Sequence, residues 1–307
     1  MLVSSNVAVL DCGSNSTRLL IASSDGATLA REMRITRLSQ GVDATGHLTP
    51  EALERSYAVL ALYRQMMDAY HVEHGLLVAT SAVRDAANGD EFLARAARIT
   101  RVEARLLSGD EEAAFSYAGA TRRLAPDARP TLIIDIGGGS TELAVRVDGV
   151  VRGYSMQLGC VRITERALGT GVVTPAAEVA TREMIAAELD RAFEAMPLFS
   201  TLVGAVRLVG LAGTVATLAQ LDAGLRDYDR DAVHHRRLSL GDVVAWRTRL
   251  GALQPAQRLE LAGMVPGRED VLVAGLYVLE AVMERFGADE LLSSEDDILD
   301  GVAASLT

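Results

Sequence analysis

The chain has 307 residues, 49% apolar and only 4% aromatic, enough for two ordinary domains with cores of Leu, Val, Ile and Ala. Its 30 basic residues, all arginine, face 41 acidic ones, and the formal charge of −11 argues against a broad nucleic-acid or anionic-membrane surface while allowing one locally basic cleft. The lack of lysine excludes a Walker-type phosphate loop. Two cysteines, Cys12 and Cys160, give no disulfide framework and suit a reducing compartment, and the start MLVSSNVAVLDC has no basic leader, so a cytoplasmic location is expected.

In chain order, residues 7–19 (VAVLDCGSNSTRL) read as strand, tight turn, strand. Residues 50–70 carry Leu53, Tyr57, Leu60 and Met67 on a helical face behind Thr49 as N-cap. A buried strand at 76–80 leads into 79–86 (ATSAVRDA), a helix start with Thr80 or Ser81 as cap and Arg84 just beyond. Residues 108–113 (SGDEEA) put three acids in a first helical turn, where the helix dipole favours them. Residues 122–130 (RRLAPDARP) read as a linker. Residues 131–143 (TLIIDIGGGSTEL) then repeat the first hairpin: Asp11 matches Asp135, Gly13 Gly137, Ser16 Ser140, Thr17 Thr141 and Leu19 Leu143, at a constant offset of 124 residues. Helices follow at 175–196 and 271–286. The apolar run 202–221, interrupted by Arg207 and glycines, reads as a strand, a turn and a helix rather than a membrane span. The pattern predicts an α/β protein of two similar domains, 1–123 and 131–307.

Chemistry concentrates at the repeated turns. In Asp11–Cys12–Gly13–Ser14–Asn15–Ser16–Thr17–Arg18, glycine permits a sharp turn, successive N–H groups form a concavity for phosphate oxygens, and Arg18 adds charge. An ordinary hairpin would use the same residues. In the second copy, Gly137, Gly138 and Gly139 precede Ser140 and Thr141, and the loss of chain entropy at three consecutive glycines argues for a close approach to the backbone. Asp135 and Glu142 flank that turn as natural Mg²⁺ ligands. The run 210–218 (GLAGTVATL) puts Gly213 and Thr214 at a helix start suited to phosphate, as commonplace helix starts also are.

Together the segments DCGSNSTRLLIA, TSAVRDA, SGDEEAAFSYAGA, IDIGGGSTELAV, SMQLGCVRITE, GLAGTVATLA, HHRRLSLGDV and GREDVLVAGLYVLEAVM with SSEDDILDG resemble, in order, the exopolyphosphatase / guanosine pentaphosphate phosphohydrolase family of the sugar kinase–Hsp70–actin superfamily. The resemblance implies two actin-like (RNase H-like) α/β domains with a phosphate-binding cleft between them, and a last helix near 294–306 that can fold back onto the first domain. It implies Glu112 as general base, Arg84 beside the reacting phosphate, and phosphate contacts from Gly13, Ser14, Asn15, Ser16, Arg18, Gly137, Gly138, Gly139, Ser140, Thr141, Gly213 and Thr214. Asp135, Glu142 and Asp11 are the implied ligands of Mg²⁺, with Mn²⁺ as an alternative. The expected activity is release of terminal orthophosphate from inorganic polyphosphate. Hydrolysis of the 5′ γ-phosphate of guanosine pentaphosphate is the runner-up, and an Hsp70-like nucleotide switch or a sugar kinase fits less well. No nucleic-acid or membrane partner is expected, and a homodimer is left open. Arg122, Arg123, Arg236 and Arg237 are candidates for a basic lining along the polymer. Long family members carry further helical domains, so the chain is expected to prefer short or medium polymers.

Overall fold

The structure, a computed structural model, describes residues 6–306. The leader reading of residues 1–5 lies outside them. Contacts divide the chain into one unit of Met1–Gly119 with Ile298–Thr307 and a second of Ala120–Asp297. The segment 122–130, read as a linker, is therefore part of the second unit, and the last helix belongs with the first.

In the first unit, β1 (Asn6–Cys12), β2 (Ser16–Ala22), β3 (Thr28–Ile35), β4 (Val72–Ala79) and β5 (Glu103–Leu106) form a sheet of order β3-β2-β1-β4-β5. The β1–β2 and β2–β3 pairs are antiparallel, while β1–β4 and β4–β5 are parallel. The second unit contains β6 (Thr131–Ile136), β7 (Thr141–Val147), β8 (Val150–Met156), β9 (Arg207–Leu211), β10 (Arg237–Ser239) and β11 (Glu290–Ser293), ordered β10-β11-β9-β6-β7-β8. With β10 set aside as an added edge, β8-β7-β6-β9-β11 repeats the first order and the same strand directions. The sequence repeat is thus a repeat of topology.

Strand alternation explains why the first sheet needs helices on both faces. Ala8, Leu10, Cys12, Leu19 and Ile21 enter one buried cluster with Tyr57, Leu60, Tyr63 and Phe92. Val9, Leu20, Leu76 and Val78 point the other way and are covered by Ile298, Leu299 and Val302 of the helix Ile298–Leu306. Gly301 lets that helix sit directly on the helix Gly109–Thr121, because a Cβ there would lie 2.0 Å from the Phe115 carbonyl oxygen. Thr49 caps the helix Pro50–Ala69 by accepting from the Ala52 N–H at 3.3 Å, with Pro50 in the first turn where no N–H is needed. The run 202–221 resolves into the end of a short helix, then β9, then the helix Ala212–Asp222. No helix of the described residues is long and apolar enough to cross a membrane.

Candidate active site

Each repeated hairpin ends its first strand in a turn of one design. In the first, the Gly13 N–H donates to the Ser16 carbonyl at 3.0 Å; in the second, the Gly137 N–H donates to the Ser140 carbonyl at 3.0 Å. A Cβ at either glycine would stand 3.1 Å from that carbonyl oxygen. The turn carbonyls are drawn back into the protein. Ser14 O accepts from Ser39 N at 2.9 Å, and Asn15 O from Thr36 N and Arg37 N at 3.0 and 2.9 Å. Likewise Gly138 O accepts from Val161 N and Arg162 N at 2.9 and 3.1 Å, and Gly139 O from Arg162 Nε at 2.7 Å. Among the described residues, nothing accepts from the N–H groups of Ser14, Asn15, Gly138, Gly139 or Ser140. Carbonyls turned inward with N–H groups left over make an anion-binding nest. The Asn15 side chain adds to this, since both of its amide atoms are buried without a partner.

The neighbouring glutamates Glu111 and Glu112 do different work. Ser108 and Glu111 form a capping box at the start of the helix Gly109–Thr121: Ser108 N and Oγ donate to Glu111 Oε2 at 2.9 and 3.0 Å, and Glu111 N donates to Ser108 Oγ at 3.3 Å. The bonds from Ser108, backbone first, hold the Glu111 carboxyl below the usual range. Glu112, one position on, is buried, and its Oε2 lies 3.5 Å from Arg84 Nη1. That same nitrogen donates to the Leu107 carbonyl at 2.9 Å, which fixes Arg84 against the chain leading into the helix. Thr80 is the N-cap of the short helix Ser81–Arg84 but makes no side-chain cap bond, and the Ser81 hydroxyl instead meets Ser14 Oγ at 2.9 Å. The expected cap is thus replaced by a tie between the β4 end and the first turn.

Register separates the two hairpins electrostatically. Asp135 stands opposite Glu142 across β6–β7, and Asp11 opposite Arg18 across β1–β2. Directly opposite residues share a face, and like charges there destabilise a sheet. Asp135 and Glu142 are both buried, with Ser155 Oγ donating to Glu142 Oε1 at 2.7 Å. Two carboxylates held together out of solvent suit a divalent cation. Among the described residues no group of three or more His, Cys, Asp or Glu side chains forms a metal cage, so a cation would complete its shell with phosphate and water oxygens, as Mg²⁺ commonly does. Asp11, the third expected ligand, has a cationic partner on one oxygen: its Oδ2 accepts from Arg18 Nε and Nη2 at 3.0 and 2.6 Å. An arginine occupies the place that a glutamate takes in the other hairpin, and it pairs with one oxygen of the Asp11 carboxylate.

A model of the Ppx/GppA phosphatase family matches residues 20–307. The chain belongs to this family. It is 41% identical to Exopolyphosphatase 2 of Mycobacterium tuberculosis, over 98% of each chain. The crystal structure of an exopolyphosphatase-like protein, 34% identical and covered over 98% of each chain, superposes with a TM-score of 0.91. A Ppx/GppA family member from Aquifex aeolicus, 28% identical, covers 98% of this chain and 97% of its own with a TM-score of 0.80. With the duplicated strand order, these likenesses meet the expectation of two actin-like α/β domains.

In this Ppx/GppA protein two predicted phosphate contacts have other duties. Thr141 is fully buried and donates from Oγ1 to the Leu158 carbonyl at 2.6 Å. Thr214 is 1% exposed and packs on Gly275, whose Cβ would lie 2.4 Å from Thr214 Oγ1. The motif does not say which way a side chain turns, and these hydroxyls turn into the protein. Gly213 does sit at a functional-looking start: the preceding Ala212 holds φ +63, a left-handed conformation that costs a non-glycine residue about 1–3 kcal/mol. Over Gly213 lies the guanidinium of Arg268, since a Cβ at 213 would be 1.8 Å from Arg268 Cζ. The segment GREDV carries no local signal that assigns Arg268 a role, and only the fold puts it at this helix start. Arg258 is missed in the same way. It is fully buried and donates to the carbonyls of Leu250, Thr170, Glu269 and Gly171 at 2.7–2.9 Å, which pins the segment next to Arg268.

Three of the four arginines proposed to line a polymer path pair with acidic side chains of the second unit. Arg236 donates to Asp222 Oδ2 from Nε and Nη2 at 2.9 and 2.7 Å, and Arg123 Nε donates to the buried Asp296 at 2.9 Å. Arg237 pairs with Glu290 at the sheet edge. Cys12 and Cys160 are buried free thiols, both pushed upward in pKa chiefly by burial, which makes them core residues rather than nucleophiles.

Proposed function

We propose that the chain is a phosphoanhydride hydrolase that releases the terminal orthophosphate of inorganic polyphosphate. The observation that carries this reading is the buried Glu112 carboxylate set 3.5 Å from the Arg84 guanidinium at a helix start. A carboxylate so placed can orient and deprotonate water, and an arginine beside it can offset charge on the phosphoryl group. The N–H groups of the two turns, with Asn15, Ser16 and Ser140, take phosphate oxygens. Asp135 and Glu142 would hold a divalent cation, Mg²⁺ or Mn²⁺, which when bound would neutralise charge on the phosphate oxygens. Glu112 takes a proton from the attacking water as the new O–P bond forms; the terminal O–P bond breaks, the chain leaves as a phosphate anion one unit shorter, and orthophosphate is released. The relatives named exopolyphosphatase support polyphosphate as substrate.

The test is orthophosphate release from polyphosphates of several lengths, beside guanosine pentaphosphate and ATP, in the cytoplasm-like presence of Mg²⁺. Polyphosphate should be turned over with the highest kcat/KM. A clear preference for guanosine pentaphosphate would overturn the substrate assignment, and no release from any of them would overturn the hydrolase reading.

A further inference from the structure

The second unit has a cavity of about 300 Å³ at the edge of its sheet opposite to the phosphate turn. The turn follows the last residue of β6, whereas the cavity is lined by Arg129 just before β6, Arg207 at the first residue of β9 and Glu290 at the first residue of β11. The length of β6 separates the two places by roughly 20 Å. One wall is the segment 122–130, fastened by Arg207, which donates to the Ala125 carbonyl at 2.6 Å and to Thr131 Oγ1 at 2.8 Å.

The lining has an excess of positive charge on a chain whose net charge is −11: Arg129, Arg207 and Arg237 face Asp127 and Glu290. The existing pairs leave donors over. Arg129 gives Nε and Nη2 to Asp127, both at 3.1 Å, and Arg237 gives Nη1 to Glu290. His235 completes the ring of donors. Its backbone is left-handed at φ +60, its ring stacks on His234 with centroids 3.7 Å apart, and its Nε2 is buried with no hydrogen-bond partner among the described residues. A buried, unsatisfied ring nitrogen is costly unless something outside the chain completes it.

We propose that this cavity is a second anion site, taking a small phosphate anion on the spare guanidinium donors of Arg129 and Arg237 and on the His235 ring. Burial pushes the His235 pKa down, so at neutral pH the ring is uncharged and offers one N–H donor. The specificity is for a compact polyanion, because the cavity is small and its donors are charged and planar. The proposal does not depend on the hydrolase reading, since it concerns other residues.

The experiment is equilibrium dialysis of the full chain, with EDTA to prevent turnover, against labelled orthophosphate in one arm and tripolyphosphate in the other. Two paired variants are compared with the parent. Arg129→Gln with Arg237→Gln should weaken binding at one site about tenfold or more in at least one arm, because charge-assisted bonds are lost. Asp127→Asn with Glu290→Gln should tighten the same binding, because the guanidinium groups are released from their internal partners. The opposite signs separate recognition from unfolding, which could only weaken binding. Loss confined to orthophosphate identifies a single-phosphate site, and loss with tripolyphosphate identifies a site for a polymer segment. Isotherms for both pairs that match the parent in both arms would overturn the proposal.

Discussion

Adjacent glutamates at one helix start stand in different surroundings, and Glu112 is the one proposed to act on water. Glu111 completes the capping box with Ser108, while Glu112 is buried beside Arg84. Glu112→Gln should therefore lower kcat by about 10²–10⁴ with substrate binding retained, the usual range for loss of a general base. Glu111→Gln should leave turnover within a few-fold and act on helix stability. Steady-state rates and equilibrium binding of the two variants check this, and near-normal turnover of Glu112→Gln would remove it from the reaction. At the other hairpin, the opposed carboxylates Asp135 and Glu142 are the proposed place for a metal. Asp135→Asn and Glu142→Gln should each raise the Mg²⁺ concentration needed for half-maximal activity by about tenfold or more, since a hard cation loses one anionic oxygen. Asp11→Asn should shift it less, because one oxygen of the Asp11 carboxylate is already taken by Arg18. A metal titration with equal requirements in all three variants would count against the assignment.

At the scale of elements, the glycines of the second turn are only half of a glycine-to-glycine contact. Gly159 sits under the turn so closely that a Cβ would lie 2.2 Å from Gly138 O and 2.4 Å from Gly139 N. The segment beginning at Gly159 then supplies the N–H groups of Cys160, Val161 and Arg162 that hold the turn carbonyls. Gly159→Ala must push the turn away and disturb the direction of its free N–H groups. We expect a loss of about 1–3 kcal/mol in stability, the common cost of overpacking, and a larger KM for polyphosphate. Gly169→Ala is the contrasting change: nothing lies within 4 Å of its Cβ position, and any effect comes from its φ of +71 alone. Thermal unfolding and KM measured together separate the two, and a Gly159→Ala protein with parental KM would show that the turn tolerates displacement.

At the scale of the whole molecule, the first unit is assembled from both ends of the chain. Ile298, Leu299 and Val302 cover Val9, Leu20, Leu76 and Val78, and Arg31 pairs with Asp300. Each large apolar side chain buried in this way contributes about 1.5–3 kcal/mol. Removing residues 298–307 takes away several of them at once, an amount comparable with the net stability of an ordinary domain. The truncated protein should therefore lose the cooperative unfolding of its first unit and its activity, although Glu112 and Arg84 are still present. Adding a peptide of residues 298–307 should restore part of both. Calorimetry of the truncated chain showing an undisturbed first transition would refute this.

Local chemistry made much of the protein legible from sequence. The hairpins announced themselves because an apolar β-branched run followed by Asp and Gly has few other backbone solutions, and the offset of 124 residues carried over directly into matched strand order. The helix after Thr49 and the acidic helix start at 109 followed from capping chemistry in the same way. Side-chain direction was not legible. Thr141 and Thr214 stand in the motifs but turn into the core, one oxygen of Asp11 is taken by the arginine opposite it, and Ser81 caps no helix. Arg268 and Arg258 carry no local signal, because what matters is which distant backbone they reach: Gly213 for one, and the carbonyls of Thr170, Gly171, Leu250 and Glu269 for the other. Sequence by itself determined the elements and the repeat, since those depend on periodicity and turn chemistry within a few residues. Only the tertiary structure decided which polar groups are consumed by packing and which are left to meet a ligand, because that is settled by neighbours tens to hundreds of residues away.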